Sequence, residues 1–296
     1  MVHPGFLLDR CTVDAFELKV RVALRARAAA GDRDAKKLDG AAGHLFGLAY
    51  ERYAEESLRA QLPDLPGSVK RIWSEEELQR VWPGRKQCDF LADYGDALVA
   101  IDVVSTRLVE QTYGAGAIEA LDEDLRQIVD KKARQIDSTA GLVVDRGHEL
   151  GLPRVGQPGA SVPVFPIVVS TGGLPWNPFI AAVVHARVAD AALLSHARVR
   201  PLRVVTMQNL EETEALAATG GPSFGRLLVD AHARNQDGFA LDQIIDSLGY
   251  RLQRPERMNP MWIKRFRELG ALLGMEPDAL DDLRDPFREH QRATTR

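Results

Sequence analysis

The 296 residues hold only two cysteines, Cys11 and Cys88. That is too few for a disulfide framework or a cysteine zinc site, and reduced thiols in a cytoplasmic protein are the expectation. The seven histidines form no HxxxH or HExxH pair, so a histidine-rich metal centre is not expected. "STGGLPWNP" carries glycines after an apolar run but lacks the GxxxxGK[ST] spacing of a phosphate-binding loop. There is no GxSxG elbow. No apolar run is long enough to cross a bilayer, and "MVHPGFLLDR" lacks the basic-then-apolar order of a signal peptide. Basic residues are not in excess. Lys and Arg number 38 against 42 Asp and Glu, for a formal charge of −4. This disfavours a protein that coats nucleic acid indiscriminately, but it leaves room for a local basic cleft. Internal repeats and low-complexity tracts are absent as well.

What remains is ordinary globular material: 45% hydrophobic and 27% charged residues, enough for one large domain or two modest ones. "VDAFELKVRVALRARAAA" at 13–30 reads as a helix, which "GDRD" breaks. A second helix is expected from Gly43 to Leu62, ending before "PDLPG". A short strand is expected at Val69–Trp73, followed by a helix or loop with Ser74 as N-cap. Strands follow at Gln87–Tyr94 and Ala97–Thr106, joined at Gly95-Asp96. Next comes a long helix from Ala117 to Ile136, with "AGLVVD" either its end or a strand, and then a Gly/Pro-rich loop. "VPVFPIVVST" reads as a central strand buried on both faces. Helix, strand and helix follow, and the chain beyond Gly220-Gly221-Pro222 is mainly helical. The alternation argues for an α/β or mixed α+β core. The boundaries expected are an N-terminal helical segment at 1–40, an α/β core at 41–215 and a helical region at 216–296.

Acids interrupt the apolar strands. "AIDVVSTRL" sets Asp102 among Ile101, Val103 and Val104, and "QCDFLADYG" carries Asp89. Residues two apart on a strand share a face, so a hairpin here would bring Asp89 and Asp102 together near the edge of the sheet. Paired carboxylates repel unless a proton or cation lies between them. A divalent ion on oxygen ligands is one reading; two acids on a solvated face is the other. On the second helix Leu48, Glu51, Glu55, Leu58 and Leu62 form one stripe, which makes Glu51 a candidate ligand. Phe46, Tyr50 and Tyr53 form a competing face, and its burial would leave both glutamates in solvent.

These residues resemble the PD-(D/E)XK nuclease superfamily over roughly Gly43 to Ser170. "GHLFGLAYERY" resembles its first helix with Glu51 as the acid, "CDF" supplies Asp89 and "IDV" supplies Asp102. The resemblance implies a restriction-endonuclease-like mixed sheet flanked by helices, with 41–215 as its core. It also implies Mg²⁺ or Mn²⁺ held by Glu51, Asp89, Asp102 and the Val103 carbonyl. The activity implied is phosphodiester hydrolysis in nucleic acid, with DNA the expected substrate. One position departs from the pattern. The family's lysine, two residues beyond the strand acid, is Val104 here.

The next helix offers replacements. At ~100° per residue, Lys132 falls inside the stripe Ile118, Leu121, Leu125, Ile128, Val129 and Ile136, with Lys131 at its margin and Arg134 pointing away. A lysine there must meet an acid or snorkel to water. Lys132 is therefore the third candidate catalytic residue with Asp89 and Asp102, and Lys86 is a weaker one. Ser105, Thr106 and Arg107 are possible phosphate contacts, while Gln127 and Gln135 read as helix-surface residues. The alternative to an enzyme is an inactive descendant of the fold, serving as a binding or scaffold module in a defence or DNA-processing assembly. "MNPMWIKRFRELGALLG" reads either as a DNA-contacting helix or as an amphipathic one.

Overall fold

Two antiparallel pairings and two parallel ones build a single mixed sheet in the order β1-β2-β3-β4-β5. The computed structural model describes residues 13–62, 72–104, 122–123, 125–152, 162–171, 174, 176–251 and 255. The strands are β1 (Ile72–Ser74), β2 (Phe90–Asp93), β3 (Leu98–Val104), β4 (Val164–Ser170) and β5 (Arg203–Thr206). The described α-helices are α1 (Val13–Ala29), α2 (Arg33–Ala60), α3 (Glu75–Val81), α4 (Lys131–Arg146), α5 (Pro178–Asp190), α6 (Met207–Ala218), α7 (Phe224–Ala233) and α8 (Leu241–Ser247). A π turn at Arg126–Asp130 leads directly into α4.

Helices cover both faces of the sheet, making the mixed α+β architecture that the alternating elements predict. On one face Leu91, Leu98, Ala100, Val104 and Val168 pack with Leu78, Val129, Ala133, Ile136 and Val184 from the α3, α4 and α5 side. On the other, Phe90, Val99, Ile101, Val103 and Ile167 pack with residues of α2, α6, α7 and α8. Every residue of β4 is buried, as expected of a central strand. Its parallel neighbours β3 and β5 are reached through long connections containing α4 and α5.

Several boundaries differ from the sequence reading. The second helix starts at Arg33, not Gly43, because Asp32 caps it by accepting from the Asp34 and Ala35 amides. The reversal before it is made by Gly31 at φ +96°. "AGLVVD" is the end of α4, which runs to Arg146. β2 is shorter than expected, running Phe90–Asp93, and β3 starts one residue later, at Leu98; Ser105 and Thr106 of the expected second strand lie outside the described residues. The hairpin turn is where expected. Gly95 takes φ +93° and its amide donates to Asp93 Oδ1 at 2.8 Å. Ser74 does precede α3, and its amide donates to Glu77 at 2.9 Å.

The chain divides into compact units Met1–Leu252 and Gln253–Arg296. The sequence reading set its boundaries at 40/41 and 215/216. Instead α2 runs through the first of these, and α7 and α8 contribute to the core beyond the second. Val69–Arg71, Ser105–Arg107, most of the Gly/Pro-rich loop and the "MNPMWIKRFRELGALLG" segment lie outside the described residues.

Candidate active site

The hairpin register fixes the first two acids. Phe90 pairs with Ile101 and Leu91 with Ala100. One step further along this antiparallel ladder, Asp89 stands opposite Asp102. The Val103 amide donates to Asp89 Oδ2 at 2.7 Å, fixing the carboxylate at the mouth of β2. Asp102 follows the β3 alternation toward the α4 side and is fully buried. The acids do not lie at the edge of the sheet, as the hairpin alone suggested. β4 and β5 extend the sheet beyond β3, so the acids sit toward the C-terminal end of its middle strand.

Lys132 comes from the first turn of α4 and reaches both acids. Its Nζ donates to Asp102 Oδ1 at 2.8 Å and lies 3.6 Å from Asp89 Oδ2. Only 16% of the lysine side chain is exposed. Burial alone would favour neutral lysine, but the Asp102 and Asp89 charges outweigh it and raise the ammonium above its usual range. Val104 packs in the core on the same face. The candidate lysine therefore comes from a helix, while the strand position holds an apolar side chain. Lys86 is exposed and does not enter this cluster.

The carboxylates carry more negative charge than Lys132 offsets. Burial first, then the nearby Asp89 charge, holds Asp102 well above the ordinary carboxylate range despite the lysine. Asp102 Oδ2 is buried without a hydrogen-bond partner. A proton on it, directed to Asp89, would satisfy it; so would a cation.

Glu51 is half-buried on α2 and is also raised, by burial and then by Asp89. Glu51 thus lies within electrostatic reach of the pair, although it makes no hydrogen bond or ion pair among the described residues. Of the stripe assigned to it in sequence, Leu58 is buried, Glu51, Glu55 and Leu62 are partly buried and Leu48 is exposed. Tyr50, Ala54, Ser57 and Leu58 face inward, whereas Leu48 is 49% exposed. The reason is the partner element: α2 packs against α6, with Tyr53 donating to Glu211 at 2.7 Å and Ser57 to the Leu210 carbonyl at 3.2 Å. Glu51 sits beside these inward-facing residues. Glu55 is paired with Arg59.

Sequence reasoning missed the polar layer beneath the site. The Cys88 amide donates to Thr139 Oγ1 at 2.8 Å, and that hydroxyl donates to Gln87 Oε1 at 3.0 Å. Gln87 and Thr139 are fully buried, and Gln135 is 6% exposed rather than on the helix surface. These contacts tie the chain leading to Asp89 onto α4, and so hold Asp89 and Lys132 in register. The signal was Gln135 and Thr139, which follow Lys132 at helical spacing on the side turned to the sheet. The side chain of Gln127 lies outside the described residues. Burial pushes the Cys88 thiol up, and it remains an inert core group.

Among the described residues no group of three or more His, Cys, Asp and Glu side chains is arranged to hold a metal ion. Asp89 and Asp102 nonetheless fit a hard divalent cation. Both ligands are oxygens, one buried oxygen lacks a partner, and Mg²⁺ commonly takes one or two carboxylates with water and substrate phosphate completing its shell. Comparisons with family models, curated proteins and solved structures find no match to this chain. No described helix is long and apolar enough to cross a membrane.

Proposed function

We propose that this chain is a metal-dependent phosphodiesterase acting on nucleic acid, with DNA the expected substrate, and a relative of the PD-(D/E)XK nucleases. The observation that supports this reading is the ammonium of Lys132 lying 2.8 Å from Asp102 and 3.6 Å from Asp89 on the helix that follows the acid strand. In this reading Asp89 and Asp102 hold Mg²⁺ or Mn²⁺, aided by Glu51 and the Val103 carbonyl. The ion supplies Lewis acidity toward the phosphate and a more acidic bound water. Lys132 donates to the attacking water or a non-bridging oxygen, offsetting charge as the transition state forms. Asp102 anchors that ammonium, and the Val103 amide anchors Asp89.

The test uses purified full-length chain with supercoiled plasmid, linear duplex and RNA, in Mg²⁺ or Mn²⁺ and in EDTA. Metal-dependent strand breaks are expected, abolished by EDTA and by Asp102→Asn. Lys132→Met should lower the single-turnover rate by roughly 100- to 1,000-fold, the usual worth of one preorganised donor. Wild-type rates from Lys132→Met would remove the lysine's role.

A second reading is a non-catalytic module of the same ancestry. Val104 favours it, as does an ammonium that already partly neutralises the acids without a metal. Absence of metal-dependent cleavage on every substrate would select it.

A further inference from the structure

On the outer flank of α4, next to the acids, lies a shallow depression of about 370 Å³ lined by Arg85, Lys86, Lys131, Arg134, Gln135 and Ser138. Its four cations are all exposed, and no acid is among the lining residues. None of them makes an ion pair among the described residues. Elsewhere Arg59, Arg126, Arg146 and Arg226 pair with acids three or four residues away, while Arg33, Lys36 and Lys37 on α2 likewise make no ion pair among the described residues. An adjoining depression shares Lys131 and Arg134 but adds Asp130 and Arg126, which are paired with Arg187 and Glu123. The first depression thus gathers four cations with no acid in its lining, on a chain whose net charge is −4.

Both walls run directly into the acid cluster. Arg85 and Lys86 stand just before Asp89, on the segment tied to Thr139. Lys131 adjoins Lys132, and Lys131, Arg134 and Ser138 repeat at helical spacing beside it. Four like charges close together on a surface repel one another unless an anion lies among them. The floor of Gln135 and Ser138 is neutral and polar, which suits a ligand that brings its own charge and keeps its water.

We propose that this depression is a binding tract for the phosphates of a nucleic-acid strand, holding the backbone beside the scissile position at Asp89, Asp102 and Lys132. This rests on the nuclease reading for the strand's fate, but the tract concerns binding and is tested by binding. Phosphate contacts of this kind release counterions, so affinity should fall with salt by a slope of roughly 0.7–0.9 per contact.

The experiment is fluorescence anisotropy of labelled duplex DNA, single-stranded DNA and RNA of one sequence, in EDTA, over a salt series. The variants are Lys131→Glu with Arg134→Glu, Arg85→Glu with Lys86→Glu, and, as an equal change of net charge elsewhere, Lys36→Glu with Lys37→Glu. All of these side chains are exposed, and unchanged thermal midpoints will confirm folding. Each tract pair should lose at least tenfold in affinity and lower the salt slope by roughly one to two. The Lys36/Lys37 pair should do neither. Equal losses in all three variants, wild-type binding in the tract variants, or no binding by the wild type would each overturn the tract. The nuclease reading fails separately. Binding as expected without cleavage in Mg²⁺ leaves the tract and removes the enzyme, while cleavage with undiminished binding by the tract variants does the reverse.

Discussion

Lys132 and Asp102 form one buried unit. Asp102 has no exposure, and its Oδ1 accepts directly from the ammonium. Sequence alone suggests that Lys132→Met keeps the aliphatic packing and changes stability little or even raises it, because a buried charge is gone. The ion pair reverses this expectation, because the substitution strands a buried carboxylate. Lys132→Met should cost roughly 3–5 kcal/mol, the usual penalty for removing one partner of a buried pair. Asp102→Asn combined with Lys132→Met should recover much of that loss, since neither charge remains. Urea unfolding of the wild type, both single variants and the double variant measures the coupling. Strictly additive losses would show that the pair is not a unit.

At the scale of elements, two glycines with opposite surroundings separate packing from backbone entropy. A Cβ at Gly225 on α7 would lie 2.5 Å from Tyr94 Cβ and Cγ. Tyr94 begins the β2–β3 turn, is 3% exposed and stacks edge-on against Phe224. It has little room to retreat, so Gly225→Ala should destabilise by about 1–3 kcal/mol. Gly47 on α2 has nothing within 4 Å of its Cβ position. Gly47→Ala should stabilise by roughly 0.5–1 kcal/mol, because alanine loses less backbone freedom in a helix. Chemical denaturation of the two variants should shift in opposite directions.

The α1–α2 pairing carries a pH dependence. Asp39 on α2 lies 3.2 Å from both Arg21 and Arg25 on α1. Burial pushes its carboxyl up, but the two guanidinium groups outweigh this and hold it below the ordinary 3.8. The unfolded chain therefore takes up this proton first as pH falls. The contribution is present above 3.8 and is lost as pH drops through the lower folded-state value. Asp39→Asn should cost roughly 0.2–1 kcal/mol near neutrality, the range for such surface pairs. Its thermal midpoint should converge on that of the wild type in acid. A gap that stays constant with pH would assign the loss to packing.

For the whole molecule, the candidate site joins β2, β3 and α4, so a ligand bound there stabilises the sheet and its covering helix together. If Asp89 and Asp102 hold a divalent ion, Mn²⁺ should stabilise the fold by mass action, by about 2.7 kcal/mol at a hundred times its dissociation constant, and so raise the thermal midpoint. EDTA should reverse the rise and Asp102→Asn should remove most of it. An undiminished Mn²⁺ response in Asp102→Asn would displace the proposed ligand.

Local information in the sequence determined a great deal of this. The alternation around Asp102 marked a buried strand, and Gly95-Asp96 marked the turn. Together they set the register that places Asp89 opposite Asp102, because a two-residue turn leaves little freedom of pairing. The helical stripe picked Lys132 over Lys131, since an inward lysine needs an acid. Tertiary structure decided the rest. The α2 sequence offers two apolar stripes, and only packing against α6 buried Tyr50 of one together with Leu58 of the other while leaving Leu48 exposed. Burial of Gln87, Gln135 and Thr139 depends on partners 48 to 52 residues apart, which periodicity does not report. The reach of Lys132 to both acids depends on where α4 packs on the sheet, which spacing along the helix does not report. Sequence spacing fixes which residues share a face of one element; which faces then meet is settled by the packing of the whole chain.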